Sequence, residues 1–445
     1  MTQSLNTEAI LKKAFAAAVA VADPQLIVPQ YLAKIFPPGQ EPQGRCLVVG
    51  AGKASASMAS ALEAYAKVHW PKVLIEGVVL TRYGHSSPTT HIKIVEAGHP
   101  VPDQAGMKGA NAVLALAKQL QAEDVLIALV SGGGSSLLTL PQEGISIDDM
   151  RATTETLLRS GAPIEEMNIV RKHLSAILGG NLARVAMSRG ARVEALLISD
   201  VTGDQPADIA SGPCAADYST YKDALNIFEK YHLGNDLIPA SVMNHLQQGA
   251  AGKKPETLKE QDLKNAQVAN HVIATAYKSL EAAADYVRSQ GYEPIVLGDT
   301  ITGEAQEVGV EQANLVREHF VKGGKPLAFI SGGECTVTIP LGIKGRGGRC
   351  SEYLLSLLAA SSDLPKMAAL AADTDGIDGS EKNAGAWFDG DIRKASQAQG
   401  LKPETFLSAH DCYGFFAELG ALVETGPTLT NVNDFRIILI DKSNA

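Results

Sequence analysis

The chain lacks the features of secreted, membrane-spanning and nucleic-acid-binding proteins. Its five cysteines, Cys46, Cys214, Cys335, Cys350 and Cys412, are scattered, odd in number and never paired as C-x-x-C. That usage argues against a disulfide framework or a zinc site and fits a reducing compartment. No apolar run reaches the ~18 residues that a membrane span needs. The N-terminus, which carries Glu8, Lys12 and Lys13, lacks the basic-then-apolar layout of a secretory signal. Basic charge is in deficit, with 39 Lys and Arg against 49 Asp and Glu and a net charge of −10. A broad nucleic-acid surface needs a basic stripe, so no nucleic-acid partner is expected. A local Lys/Arg cluster can still hold an anionic small molecule. The expectation is a cytoplasmic protein with neither a membrane nor a nucleic-acid partner.

What the chain does have is ordinary globular composition, 45% hydrophobic and 20% charged. Its 445 residues exceed the size at which single cores stop growing, ~250–300 residues, so two domains are expected. Short β-rich runs at 46–50, 73–81, 124–130 and 192–199 alternate with helix-length segments. They lack apolar/polar alternation, which predicts a parallel sheet with helices on both faces. An opening helix is expected over 7–21, stopping before Pro24. The Gly/Lys/Pro-rich stretch 247–264 is the linker candidate, giving domains at 1–255 and 265–445. Beyond it the pattern restarts, with helices over 274–290 and 303–321 and after Arg349. Strands are expected over 293–297, 326–330, 367–372 and 435–440, making the whole an α/β chain.

The unusual residues cluster just after predicted strands, where ligands bind in open parallel sheets. Gly50, Gly52 and Lys53 lie between a strand and a helix, a place where glycines admit an anion to backbone N–H groups and a lysine adds charge. The turn fails as a P-loop, because Leu47 stands where the first glycine should be and Ala54 comes after the lysine. It matches a dinucleotide fingerprint only in part, with Ser55 at the third glycine site. Ser131, Gly132, Gly133, Gly134, Ser135 and Ser136 form a second glycine loop, readable as an anion cradle or as a close-packing turn. Ser331-Gly332-Gly333-Glu334 repeats the strand-then-SGG pattern, and Glu334 there could meet a ribose hydroxyl, meet a metal or cap a turn. A basic loop, Gly342-Ile-Lys344-Gly-Arg346-Gly-Gly-Arg349, leads into a helix and can supply charge to a phosphoryl group. Asp200, Asp204 and Asp375 lie just after strands and are candidates for Mg²⁺ ligation or proton transfer, with Asx-turns as the plainer reading. His173 and His410 have no nucleophile pattern nearby and read as structural, and no G-x-S-x-G elbow is present.

Together these loops resemble the glycerate 2-kinase family, whose C-terminal region is called the MOFRL domain. The matching stretches include Val48-Val-Gly-Ala-Gly-Lys53-Ala, Leu129-Val-Ser-Gly-Gly-Gly-Ser-Ser136, Asn168-Ile-Val-Arg-Lys172-His-Leu-Ser175 and Ile198-Ser-Asp200-Val-Thr-Gly-Asp204. They continue through Ile209-Ala-Ser-Gly-Pro213, Gly345-Arg-Gly-Gly-Arg349, Asp375-Gly-Ile-Asp-Gly379, Thr425-Gly-Pro-Thr428 and Thr430-Asn-Val-Asn433-Asp434. The resemblance implies a Rossmann-like N-terminal domain, a smaller C-terminal α/β domain and a cleft between them. It implies ATP- and Mg²⁺-dependent phosphorylation of D-glycerate to 2-phosphoglycerate; a monomer or homodimer is expected. The family's catalytic lysine falls on Lys53 and its catalytic arginine on Arg349. Asp200 is the leading candidate for the base or for holding Mg²⁺. Cys350, where the family commonly has Asn, and Leu178, where it often has Lys, are departures. Some family members are labelled hydroxypyruvate reductases, so an NAD(P)-dependent oxidoreductase is the alternative. A non-catalytic sugar-phosphate-binding regulator is a second alternative.

Overall fold

A run that is apolar at every position becomes a strand covered on both faces. The protein, seen in a computed structural model, obeys that rule; residues 2–234, 236–319, 324–364 and 366–441 are described. Strands β1 (Cys46–Ala51), β2 (Ile75–Arg82), β3 (Ile92–Ala97), β4 (Val125–Val130), β5 (Arg192–Ile198) and β6 (Val268–Ala274) form one sheet. Their spatial order is β3-β2-β1-β4-β5-β6. β1 is parallel to β2 and to β4, and the β2/β3 and β4/β5 pairs are parallel as well. β1 and β4, at the centre, are buried at every residue. Because β1 to β5 run the same way, the turns after Ala51, Ala97, Val130 and Ile198 share one edge of the sheet.

The remaining strands, in chain order, are β7 (Glu293–Gly298), β8 (Gly303–Glu304), β9 (Leu327–Gly333), β10 (Cys335–Thr336), β11 (Met367–Asp373), β12 (Gly385–Phe388), β13 (Leu422–Val423) and β14 (Asp434–Ile440). Six of them form a second sheet in the order β13-β12-β11-β14-β9-β7, and the short β8 pairs separately with β10. Within the second sheet only β7 and β9 run parallel; β9/β14, β14/β11, β11/β12 and β12/β13 are antiparallel. The register sets Asp434 opposite Gly333 on one side and Asp373 on the other. Two strand ends and one strand start therefore meet at one edge.

The chain divides into two compact units, Ile27–Ile273 and Met1–Leu26 with Ala274–Ala445. The expectation placed the first residues with the N-terminal domain. In the structure Leu11, Ala14, Phe15 and Ala18 of the helix Thr2–Ala20 are buried in one core with Leu280, Ala283, Ala284 and Val287 of the helix Ala276–Ser289. Spacings of three and four put the first set on one helical face. The stretch 247–264 is not a free tether. Leu258 is fully buried beside Ile177, Leu178 and Leu182, and its N–H donates to Gly179 O at 3.0 Å. Leu178 is thus a core residue.

The predicted strands recur within a residue or two, except that β9 continues through Gly333, so the second SGG lies inside a strand. The helix expected over 303–321 runs Ala305–His319, and its predicted end lies outside the described residues. β3, β6, β8, β10, β12 and β13 had no counterpart in the sequence reading. β3 is an edge strand whose Lys93 and Glu96 interrupt its apolar run. No helix among the described residues is long and apolar enough to cross a membrane.

Candidate active site

The parallel sheet brings the first two glycine turns together. Gly52 has φ 143°, a conformation that side chains disfavour, and a Cβ there would lie 2.1 Å from Ser131 Oγ. A Cβ on Gly50 would meet Leu129 O at 2.1 Å. Both glycines therefore let β1 and its turn approach β4. The N–H groups of this turn are already engaged. Gly52 N donates to Leu80 O at 3.2 Å, Lys53 N to Gly132 O at 2.9 Å and Ala54 N to Ser131 Oγ at 3.0 Å. Lys53 itself is half-buried just before the helix Ser55–His69.

The 131–136 turn is shaped by its neighbours. Gly133 has φ 80°, and a Cβ there would sit 2.7 Å from His99 Nε2. A Cβ on Gly134 would meet Ala210 Cβ at 2.6 Å. Ser135 Oγ lies 2.9 Å from Ser211 Oγ, and Ser136 Oγ donates to Gly133 O at 3.1 Å. Ala210 and Ser211 have φ values of 48° and 57°, in the left-handed region that non-glycine residues seldom adopt. Such conformations persist where packing imposes them, often at functional sites. His99 and Ser211 were not singled out by the sequence reading. Ser211 lies within the stretch Ile209–Pro213 that carries the family resemblance, and His99 follows Gly98, signals that could have marked them.

Asp200 and Asp204 lie just after β5 and are partly buried; Asp204 has φ 53°. Asp217, in the same unit, faces the buried Lys172 at 3.4 Å. Burial by itself would raise the Asp217 pKa, but Lys172 and Ser219 hold it below the ordinary carboxylate value.

In the second unit Arg349 opens the helix Arg349–Ala360. Its Nε donates to both oxygens of Asp434 at 2.9 Å, Nη2 to Asp373 Oδ2 at 3.0 Å and Nη1 to Glu334 Oε1 at 2.5 Å. Burial alone would lower the Arg349 pKa; the carboxylates of Asp434, Asp373 and Glu334 raise it above the ordinary arginine range. Of the uses expected for Glu334, the structure shows a different one, an ion pair with Arg349. Gly332 and Gly333 pair with Phe435 and Asp434 in the ladder, and a Cβ on Gly333 would lie 2.3 Å from Ile301 O.

The basic loop is docked where it nears the helix. Arg346 N donates to His410 O at 2.8 Å, and its guanidinium stacks over Tyr413 at 4.6 Å and pairs with Glu381 at 3.2 Å. His173 and His410 are held by carboxylates, Glu256 at 3.3 Å and Glu352 at 2.9 Å.

Asp375 is buried, and its Oδ1 accepts from Ile377 N at 2.9 Å, an Asx-turn. Among the described residues no group of three or more His, Cys, Asp or Glu side chains gathers as a metal site. Asp200 and Asp204 lie in the unit Ile27–Ile273 and Asp375 in the other. All five cysteines are buried and unbridged, and burial pushes the thiols of Cys46 and Cys214 up to about 12. Cys350 is fully buried and its N–H donates to Asp378 Oδ1 at 3.0 Å, so the residue serves the helix start.

Charged side chains set at strand ends in two α/β units define a two-domain α/β enzyme. The profile of the domain of unknown function DUF4147 matches residues 10–247, and that of the MOFRL family matches 327–434. A protein of Agrobacterium vitis named "Putative hydroxypyruvate reductase" is 45% identical over 98% of this chain and 95% of its own. The glycerate 2-kinase of Pyrococcus horikoshii is 39% identical over 95% of this chain and 92% of its own. The crystal structure of glycerate kinase from Thermotoga maritima aligns with a TM-score of 0.84 at 36% identity, covering 99% of this chain and 100% of that one. The chain belongs to the glycerate 2-kinase family, whose members, as kinases, take a nucleotide as co-substrate.

Proposed function

We propose that this protein transfers the γ-phosphoryl group of ATP, with Mg²⁺, to the 2-hydroxyl of D-glycerate, giving 2-phosphoglycerate and ADP. The observation that carries the reading is the fixed guanidinium of Arg349, which lies on the residue that the family's catalytic arginine matches. Arg349 binds an anionic group of the substrates through its fork of donors. Lys53 places a positive charge against the negative charge of the transferring phosphoryl group. Asp200 takes the proton of the 2-hydroxyl or steadies Mg²⁺, which arrives with the nucleotide because magnesium is usually bound through substrate phosphates plus one or two carboxylates. The glycine turns shape the strand-end edge on which the nucleotide rests. Five free thiols fit a cytoplasmic enzyme, working as a monomer or homodimer.

The test is a product assay with D-glycerate, ATP and Mg²⁺ beside one with hydroxypyruvate and NADH. The expected result is ADP and 2-phosphoglycerate in the first and no NADH oxidation in the second. The reverse pattern would establish the reductase that the Agrobacterium vitis relative is named for.

A further inference from the structure

The guanidinium of Arg349 has a carboxylate on each edge, and the three acids are not equivalent. The side chain of Asp434 is 0% exposed and that of Asp373 7%, whereas that of Glu334 is 56% exposed. Asp434 also accepts from Nη2 of the buried Arg436 at 3.1 Å. Asp434 starts β14 and Asp373 ends β11, directly opposite in the ladder. Neither can leave without repacking the sheet edge. Glu334 lies between β9 and β10, just past the end of the buried strand, and holds Arg349 by Nη1 alone. Glu334 is thus the one of these three carboxylates that an anion from solution can readily replace, at Nη1.

We infer that the Nη1 edge of Arg349 is the seat of an anionic substrate group, a carboxylate or a phosphoryl, and that Glu334 occupies this seat until substrate arrives. The inference rests on the reading of Arg349 as a substrate-binding cation of the proposed kinase. Glu334 then lowers apparent affinity, because ligand binds only the fraction of molecules whose seat is open. Its oxygen makes the same charge-assisted contact that the ligand makes, so the exchange is close to balanced. Glu334 sets how strongly anions bind while Asp434 and Asp373 aim the guanidinium.

The experiment titrates inorganic phosphate and D-glycerate separately into the full chain by calorimetry at low salt. Glu334→Ala and Glu334→Gln are compared with the native protein. An exposed pair of this kind predicts a gain in affinity of about two- to fivefold. A gain for phosphate alone assigns the seat to the phosphoryl group, a gain for glycerate alone to the carboxylate, and a gain for both to either anion. Unchanged or weaker binding of both probes to Glu334→Ala overturns the inference. Arg349→Lys separates the two ideas. Native-like turnover in that variant removes Arg349 itself, whereas loss of turnover there with unchanged affinity in Glu334→Ala removes only the role of Glu334.

Discussion

Arg349 occupies the first turn of a helix, where the dipole disfavours a cation. It is held there by Asp434, Asp373 and Glu334. A local rule broken with such compensation is typical of a functional residue. The same surroundings decide how it should be tested. Arg349→Ala would strip the buried Asp373 of its cation and leave Asp434 with Arg436 alone, at a cost of about 3–5 kcal/mol, and would confuse folding with activity. Arg349→Lys keeps the charge and removes the fork. Its kcat/KM is expected to fall ~100-fold or more, with little change in the urea midpoint. Lys53→Ala should lose as much. Steady-state kinetics beside denaturation curves check both, and near-native turnover in either variant would remove that residue from the mechanism. Both cations were legible in the sequence from the glycines beside them. The partners of Arg349 were not, because Asp373 and Asp434 are 61 positions apart and meet only through the β11/β14 ladder.

At the scale of elements, the helix Arg349–Ala360 begins on Asp378, which accepts from Cys350 N at 3.0 Å and from Ser351 N at 2.8 Å. Burial pushes the Asp378 pKa up to about 6, against the lowering influence of Ser351 and Cys350. A carboxyl whose pKa is higher in the folded state binds its proton more readily there, so its contribution to stability is greatest in acid. That contribution is lost as pH rises from about 4, the unfolded value, through about 6. At about 1.4 kcal/mol per unit, the native protein should lose on the order of 3 kcal/mol relative to Asp378→Asn between pH 4 and pH 7. Urea midpoints measured across that range test it, and parallel curves for the two proteins would show that Asp378 does not titrate this way. The glycine turns were legible to a similar degree. The sequence marked Gly52 and Gly133 as parts of glycine-rich turns, readable as an anion cradle or as close packing. What each makes room for, Ser131 in one case and His99 in the other, is set by the neighbouring strand's turn.

At the scale of the whole molecule, the first helix belongs to the unit built from the last 172 residues, Ala274–Ala445. Phe15 packs on Phe435 of β14 with ring centroids 5.8 Å apart. Phe15→Ala should destabilise that unit by about 3–5 kcal/mol, while Lys53 and its turn, in the other unit, keep their local structure. Hydrogen exchange resolved by peptide checks this. Faster exchange within that unit, including 276–289 and 434–440, with none in the other unit is the expected result, and uniform or absent change would contradict it. Proximity in the sequence suggested that the first residues fold with their nearest neighbours in the chain. A chain can cross between units more than once, and only the packing of Leu11, Ala14, Phe15 and Ala18 decides where this helix lies.

The sequence by itself determined the class of the protein. Fully apolar runs separated by helices fix an α/β sheet, because strands buried on both faces cannot alternate. Glycine, lysine and arginine at strand ends mark where chemistry is to be sought, because parallel strands aim their C-terminal ends at one edge. The tertiary structure alone decided what those residues do there. Backbone amides that looked available for an anion are engaged by the neighbouring turn, and a glutamate that looked ready for a ribose or a metal lies against Arg349. Those outcomes depend on pairings between residues far apart in the chain, and strand register, which no local pattern encodes, sets them.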